Sequence, residues 1–404
     1  TEWPSDASFA WINVGKYLGI DRSSGTEYGW MYDVDSILPT NEQSGDLQAV
    51  FRHEMLHAFG VYASRERMIS GMDDAGNLLR TFSKEYLNPW TQHLVDQNGN
   101  KAQPGMLIVT SDHFNKLQAQ DPSLKASDYF IVDDSGEGVT TPKANIPTSG
   151  KAYFIGSHVS EVLDGATFDG VDGLPVNGWE SKQPELSHLT TNTLMSHSHY
   201  RTSLVFTEAE LAALQDIGYV FDRKKYYGYS LYRDHAVVTN TTGYSERNAE
   251  GTAYQNNVYS TVPLGIGLHV YGSYNDITQA ADILTAGRGS IGMRVEGDGN
   301  HLTLAAGHAV HADGYRGMGT LISYGANQVF DQYGTVTANG TGGTGVQFDF
   351  GSNSYGLNDY RGSYLRYQRT NDKDTGRLKS AENLSLAYHD GIFLLPTPDL
   401  TRPL

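Results

Sequence analysis

Cysteine is absent from all 404 residues, which excludes a disulfide framework and any thiolate metal site. A transition metal in this chain has to be held by histidine and carboxylate. Positive charge is scarce as well. With 29 Lys and Arg against 46 Asp and Glu the formal net charge is -17, and no basic stripe offsets it, which argues against nucleic acid as a partner. There is no apolar run of the ~18 residues that a membrane-spanning helix requires. The opening Thr1-Glu2-Trp3-Pro4 has no basic stretch leading into an apolar one, so we expect a signal peptide to be absent or already removed.

What is present points outward from the cytosol. The chain carries 45 Gly and 26 Tyr with many Asn, Thr and Ser, a composition associated with secreted or surface proteins of Gram-negative bacteria. The length suits two or three domains.

The stretch with the most chemistry is Phe51-Arg52-His53-Glu54-Met55-Leu56-His57-Ala58-Phe59-Gly60. Apolar residues at Leu47, Val50, Phe51, Leu56 and Phe59 recur with a helical period, Asp46 is a candidate N-cap, and Gly60 a stop. Four residues apart on a helix, His53 and His57 share one face and can close on one metal ion. Glu54 is placed to take a proton from a bound water. A catalytic zinc keeps three protein ligands and one open position. The compact pattern puts the third ligand at Ala63, which cannot coordinate, so it has to come from elsewhere. His188 is the choice, with His197 and His199 as competitors and Glu161, Asp164 and Glu185 as weaker options.

Between residues 64 and 187 the sequence is rich in loop signals, broken by short segments such as Met106-Leu107-Ile108-Val109 and Tyr153-Phe154-Ile155. So long an insertion is expected to carry structure of its own and to wall a cleft. Thr207-Glu208-Ala209-Glu210 then fits a capping box, Leu211, Leu214 and Ile217 a buried stripe, and Gly218 a helix stop.

Taken together, His53-Glu54-Met-Leu-His57-Ala-Phe-Gly60, a long insertion, Ser187-His188 and Leu194-Met195-Ser196 before a Leu-rich helix ending Asp216-Ile217-Gly218-Tyr219 resemble the leishmanolysin-type branch of the metzincins. The resemblance implies a zinc endopeptidase. Its ligands would be His53, His57 and His188, its general base Glu54, and its Met-turn residue Met195. Tyr200, with His197 and His199, is a candidate for stabilising the transition state.

From residue 265 a second pattern sets in. Copies open at Gly265, Ser290, Gly317 and Gly343, alternate apolar residues, pass a glycine and reach Asn275, Asn300, Asn327 and Asn353. A period near 25 with glycine corners fits the coils of a right-handed parallel β-helix, with the asparagines stacked at one corner and exchanging side-chain amide hydrogen bonds. Tyr227-Gly-Tyr-Ser-Leu-Tyr232 and Gly265-Ile-Gly-Leu-His-Val-Tyr-Gly272 resemble the passengers of bacterial autotransporters. That implies display from an outer-membrane β-barrel not present in this chain.

The expected architecture is an α+β metzincin-like zincin domain over 1–222 with its insertion at 64–187. A connector over 223–262 that enters the β-helix, and an all-β right-handed parallel β-helix over 263–404, follow. The expected activity is a secreted or surface-displayed zinc endopeptidase acting on extracellular proteins or glycoproteins. The rival is a non-enzymatic β-helical adhesin with a degenerate or structural zinc domain. No calcium loop is claimed from Asp133, Asp134, Asp169, Asp172 or Asp298.

Overall fold

The computed structural model describes residues 19–20, 27–28, 30–31, 45–74, 76–132, 151–168, 170–180, 182–189, 193–195, 206–323, 327–349, 360–363, 366–369 and 384–388. It is a mixed α/β structure with few helices and many parallel strands. Two compact units divide the chain, one built mainly on Leu47–His199 and Ala209–Val220, the other mainly on Phe221–Leu404.

In the first unit, helix α1 spans Leu47–Ala58 and stops where the sequence says it should. Gly60 adopts φ +105°, a left-handed conformation that a side chain resists. There the Gly60 and Val61 N–H groups close back onto the carbonyls of His57 and Leu56 at 3.0 and 3.1 Å. Leu56 is buried, whereas Phe51 is 52% exposed.

The insertion is structured. Strands Arg65–Met72, Leu78–Phe82, Leu107–Thr110 and Tyr129–Val132 form a four-stranded sheet in that order. Its last two strands run parallel, which requires a crossover. Helix α3, Ser111–Gln120, supplies it, capped by the Thr110 side chain, while the short helix α2 spans Pro89–Gln92. A second, antiparallel sheet orders Leu174–Asn177, Lys151–Phe154 and Leu94–Val95. Helix α4, Ser157–Leu163, is tied to helix α5, Glu208–Asp216, because Asp216 accepts the N–H groups of His158 and Val159, both at 2.9 Å.

In the second unit the chain visits three parallel sheets in turn. Tyr227–Leu231, Ile266–Val270, Ile291–Val295, Met318–Ser323 and Thr344–Asp349 make the first. Val237–Asn240, Asp276–Gln279, His301–Leu304, Gln328–Gln332 and Leu384–Tyr388 make the second. Ile283–Thr285, Ala309–Ala312 and Thr335–Thr337 make the third. Register partners Ile266, Ile291, Met318 and Thr344 are 25, 27 and 26 residues apart, the period of the sequence repeat. One buried cluster joins all three sheets through Leu268, Val270, Ile277, Ile283, Met293 and Val310.

Within residues 223–262, Tyr227–Leu231 and Val237–Asn240 pair in parallel with the strands that follow. One expectation is corrected, because the asparagine column is built differently. Asn275 and Asn300 are 1% and 0% exposed, but their side chains bond to backbone, with Asn300 Oδ1 accepting the Asn275 N–H at 2.9 Å and Asn300 Nδ2 donating to Gly272 O at 2.8 Å. In the third copy the place belongs to Gln328, since His301 pairs with Val329. Asn327 is exposed with φ +56°, and Asn353 lies outside the described residues.

Candidate metal centre

Helix α1 brings His53 and His57 onto one face, as their spacing requires, with ring centroids 4.9 Å apart. The third histidine arrives along a well-anchored return path. After Leu174–Asn177 the chain makes a tight hairpin between Trp179–Glu180 and Gln183–Pro184, then runs back along its own strand. Asn177 N–H donates to His188 O at 2.8 Å, and Leu186 N–H to Asn177 O at 2.6 Å. Trp90 Nε1 donates to Leu186 O at 2.9 Å, Ala63 N–H to Ser187 Oγ at 3.1 Å, and Arg65 to the Pro184 carbonyl. Leu186 is fully buried at φ +65°, a conformation costing a non-glycine residue about 1–2 kcal/mol. Those anchors hold it there.

The result is a convergence of three imidazoles. His188 Nε2 lies 3.1 Å from His53 Nε2 and 3.1 Å from His57 Nε2, and one nitrogen from each lies within 4.8 Å of the others. The opposite nitrogens are all engaged. His53 Nδ1 meets Leu194 O at 2.7 Å, His57 Nδ1 meets Val61 O at 2.6 Å, and His188 Nδ1 meets Glu185 Oε1 at 2.7 Å. A carbonyl oxygen and an ionised carboxylate only accept, so each Nδ1 carries the proton. In a neutral ring Nε2 is then a bare lone pair. Three lone pairs at this separation repel unless a cation sits between them. Tetrahedral zinc with Zn–N of about 2.0–2.1 Å spaces its nitrogens roughly 3.3–3.4 Å apart, so the group could hold a metal ion with little adjustment.

The electrostatics agree. Desolvation by burial, and then the neighbouring His188, hold His57 below its ordinary value, which keeps it neutral and free to coordinate. Burial pushes the Glu185 carboxyl up. The hydrogen bond from His188 and the Arg65 guanidinium outweigh it, and the net direction is down. Glu54 sits half-buried on α1 and favours the charged form of His57.

Of the residues named from the sequence, His53, His57 and His188 are brought together. Met195 is buried next to Leu194, whose carbonyl takes His53, and its own N–H donates to Glu210 Oε1 at 2.8 Å. Glu210 is thus committed to this turn as well as fitting a capping box. Glu185 does not join the group but is hydrogen-bonded to His188, one of its members. Glu161 is exposed on α4 and Asp164 ends that helix, and neither joins the group. Tyr200, His197 and His199 lie outside the described residues, as do Asp133, Asp134 and Asp169. The Leu194 and Val61 carbonyls were not readable from sequence. The Glu-x-x-His spacing of Glu185 and His188 was, had it been taken as a hydrogen-bonded pair. No family model, curated protein or solved structure matches this chain.

Proposed function

We propose that this protein is a secreted or surface-displayed zinc-dependent endopeptidase acting on extracellular proteins or glycoproteins. The observation that carries the proposal is the convergence of three Nε2 atoms whose Nδ1 protons are all committed to acceptors. That donor set is three neutral imidazoles with no thiolate, which suits zinc and leaves a fourth position open. Zinc, when bound, would acidify a water and polarise a scissile carbonyl.

The chain's own residues do the rest. His53, His57 and His188 would hold the ion, and the oxygens on their Nδ1 atoms fix the ring orientations. Glu54, adjacent to the first ligand, takes the proton of the attacking water and returns it to the leaving amine. Met195 closes the turn whose Leu194 carbonyl steers His53. The arrival of His188 by a long excursion supports the leishmanolysin-like reading over the compact three-histidine pattern. The three parallel sheets with their repeat near 25 residues support a β-helical passenger.

Zinc stoichiometry and cleavage of a denatured protein substrate, compared between the wild type and Glu54→Ala, test the proposal. We expect one zinc in both and cleavage in the wild type alone. One zinc with no cleavage in either would leave the adhesin reading in place.

A further inference from the structure

The three ligand-type histidines differ in what stands behind them. His53 and His57 lean on neutral carbonyls, whereas His188 leans on a carboxylate. That carboxylate is oriented from two sides. Glu185 Oε2 accepts the Ser187 N–H at 3.1 Å and the His188 N–H at 3.0 Å, which leaves Oε1 aimed at His188 Nδ1 at 2.7 Å. Its residue is buried, and Arg65 donates to the adjacent Pro184 carbonyl, placing a cation beside the pair.

We propose that Glu185 is a positioning residue of the metal centre, fixing the tautomer and direction of His188 and thereby setting how tightly the ion is held. The inference rests on the metal-site reading above and deepens it. Three neutral imidazoles around a divalent ion carry a charge of plus two. Glu185, one hydrogen bond further out, is a compensating anion held in a defined geometry behind His188. A carboxylate behind an imidazole makes that ring a stronger donor than a carbonyl does. His188 is also the ligand contributed by the return segment rather than by α1, so its orientation is the one that the helix cannot set. The two backbone amides show why an amide side chain is a poor substitute. A glutamine at 185 has one oxygen for three donors, and its NH2 would face N–H groups.

The test is a double-mutant cycle on zinc affinity, read by competition with a chelating dye on the metal-free full chain. Glu185→Gln should raise the zinc Kd about 10–100-fold. In a His188→Ala background the same change should alter Kd by less than about twofold, because the partner is gone. Nitrogen NMR should show His188 protonated at Nδ1 in the metal-free wild type and a mixture of tautomers in Glu185→Gln. If Glu185→Gln does not fold, Glu185→Asp is run through the same cycle with a smaller loss expected. Zinc affinity within twofold of wild type, or equal weakening with and without His188, would overturn the inference. A wild type that binds no zinc at all would instead overturn the metal-site reading itself.

Discussion

The buried N–H of Ala63 donates to the hydroxyl of Ser187 at 3.1 Å, next to the third histidine. The position that carries a ligand in the compact histidine pattern cannot coordinate here, yet its backbone holds the segment that brings the replacement. Ser187→Ala would leave that amide without its acceptor, at a cost of about 1–3 kcal/mol. We expect urea unfolding of the metal-free protein to show this loss and dye competition to show weaker zinc retention. Zinc retained at wild-type affinity in His188→Ala would contradict the assignment of the third ligand.

Gly60 both ends α1 and aims the Val61 carbonyl at His57. At φ +105° an added Cβ is strained although space is open around it, the nearest atom being Ile217 Cδ1 at 3.9 Å. Gly60→Ala should cost about 1–2 kcal/mol in thermal unfolding. Its zinc affinity should fall too, because the turn that orients His57 is the element under strain.

The half-buried His57 and the buried His269 set a pH window for stability. Desolvation lowers both His57 and His269, the latter to about 4 despite the opposing Glu296 carboxylate. A histidine whose folded value is depressed takes up protons more readily when unfolded. Its contribution to stability is complete above about pH 6.5 and is lost as pH falls through the folded value. For His269 that loss is up to about 3 kcal/mol near pH 4. Acid unfolding of the metal-free protein followed by circular dichroism should be shallower between pH 6.5 and 4 in His269→Asn than in the wild type. Identical slopes would refute it.

The parallel sheets offer a comparison between neighbours in the repeat. Asn300 is fully buried with three hydrogen bonds to backbone groups, whereas Asn327 is exposed. Asn300→Ala should therefore destabilise by several kcal/mol, as more than one buried polar group loses its partner. Asn327→Ala should cost under about 1 kcal/mol, and chemical denaturation of the two variants checks the contrast.

That contrast also marks how far the sequence can be read. Helix α1 was legible because its apolar recurrence and its glycine stop are local. The repeat was legible where glycines and asparagines keep a period near 25. It failed at the third copy because pairing His301 with Val329 moves the buried position to Gln328, and such a shift is settled by contacts between strands. The period does not hold at the start of the parallel sheets. Tyr227 pairs with Ile266, 39 residues on, because an excursion closed by the Arg247–Tyr254 bridge interrupts the period. At the site, three histidines and Met195 were visible as residue types. The carbonyls of Val61 and Leu194 were not, since every residue carries one and only the fold selects which is used.

The separation of the ligands along the chain has a consequence for how the protein matures. His53 and His57 meet as soon as one helical turn forms, but His188 lies 131 residues beyond His57. Closing so long a loop is slow, although each doubling of its length adds only about 0.6 kcal/mol of entropy. A chain still folding would offer an ion only two donors. Tight capture would wait until the insertion has brought the third ring to the other two, so an ion held by all three would report that the first unit has folded and would shift its equilibrium further toward the folded state.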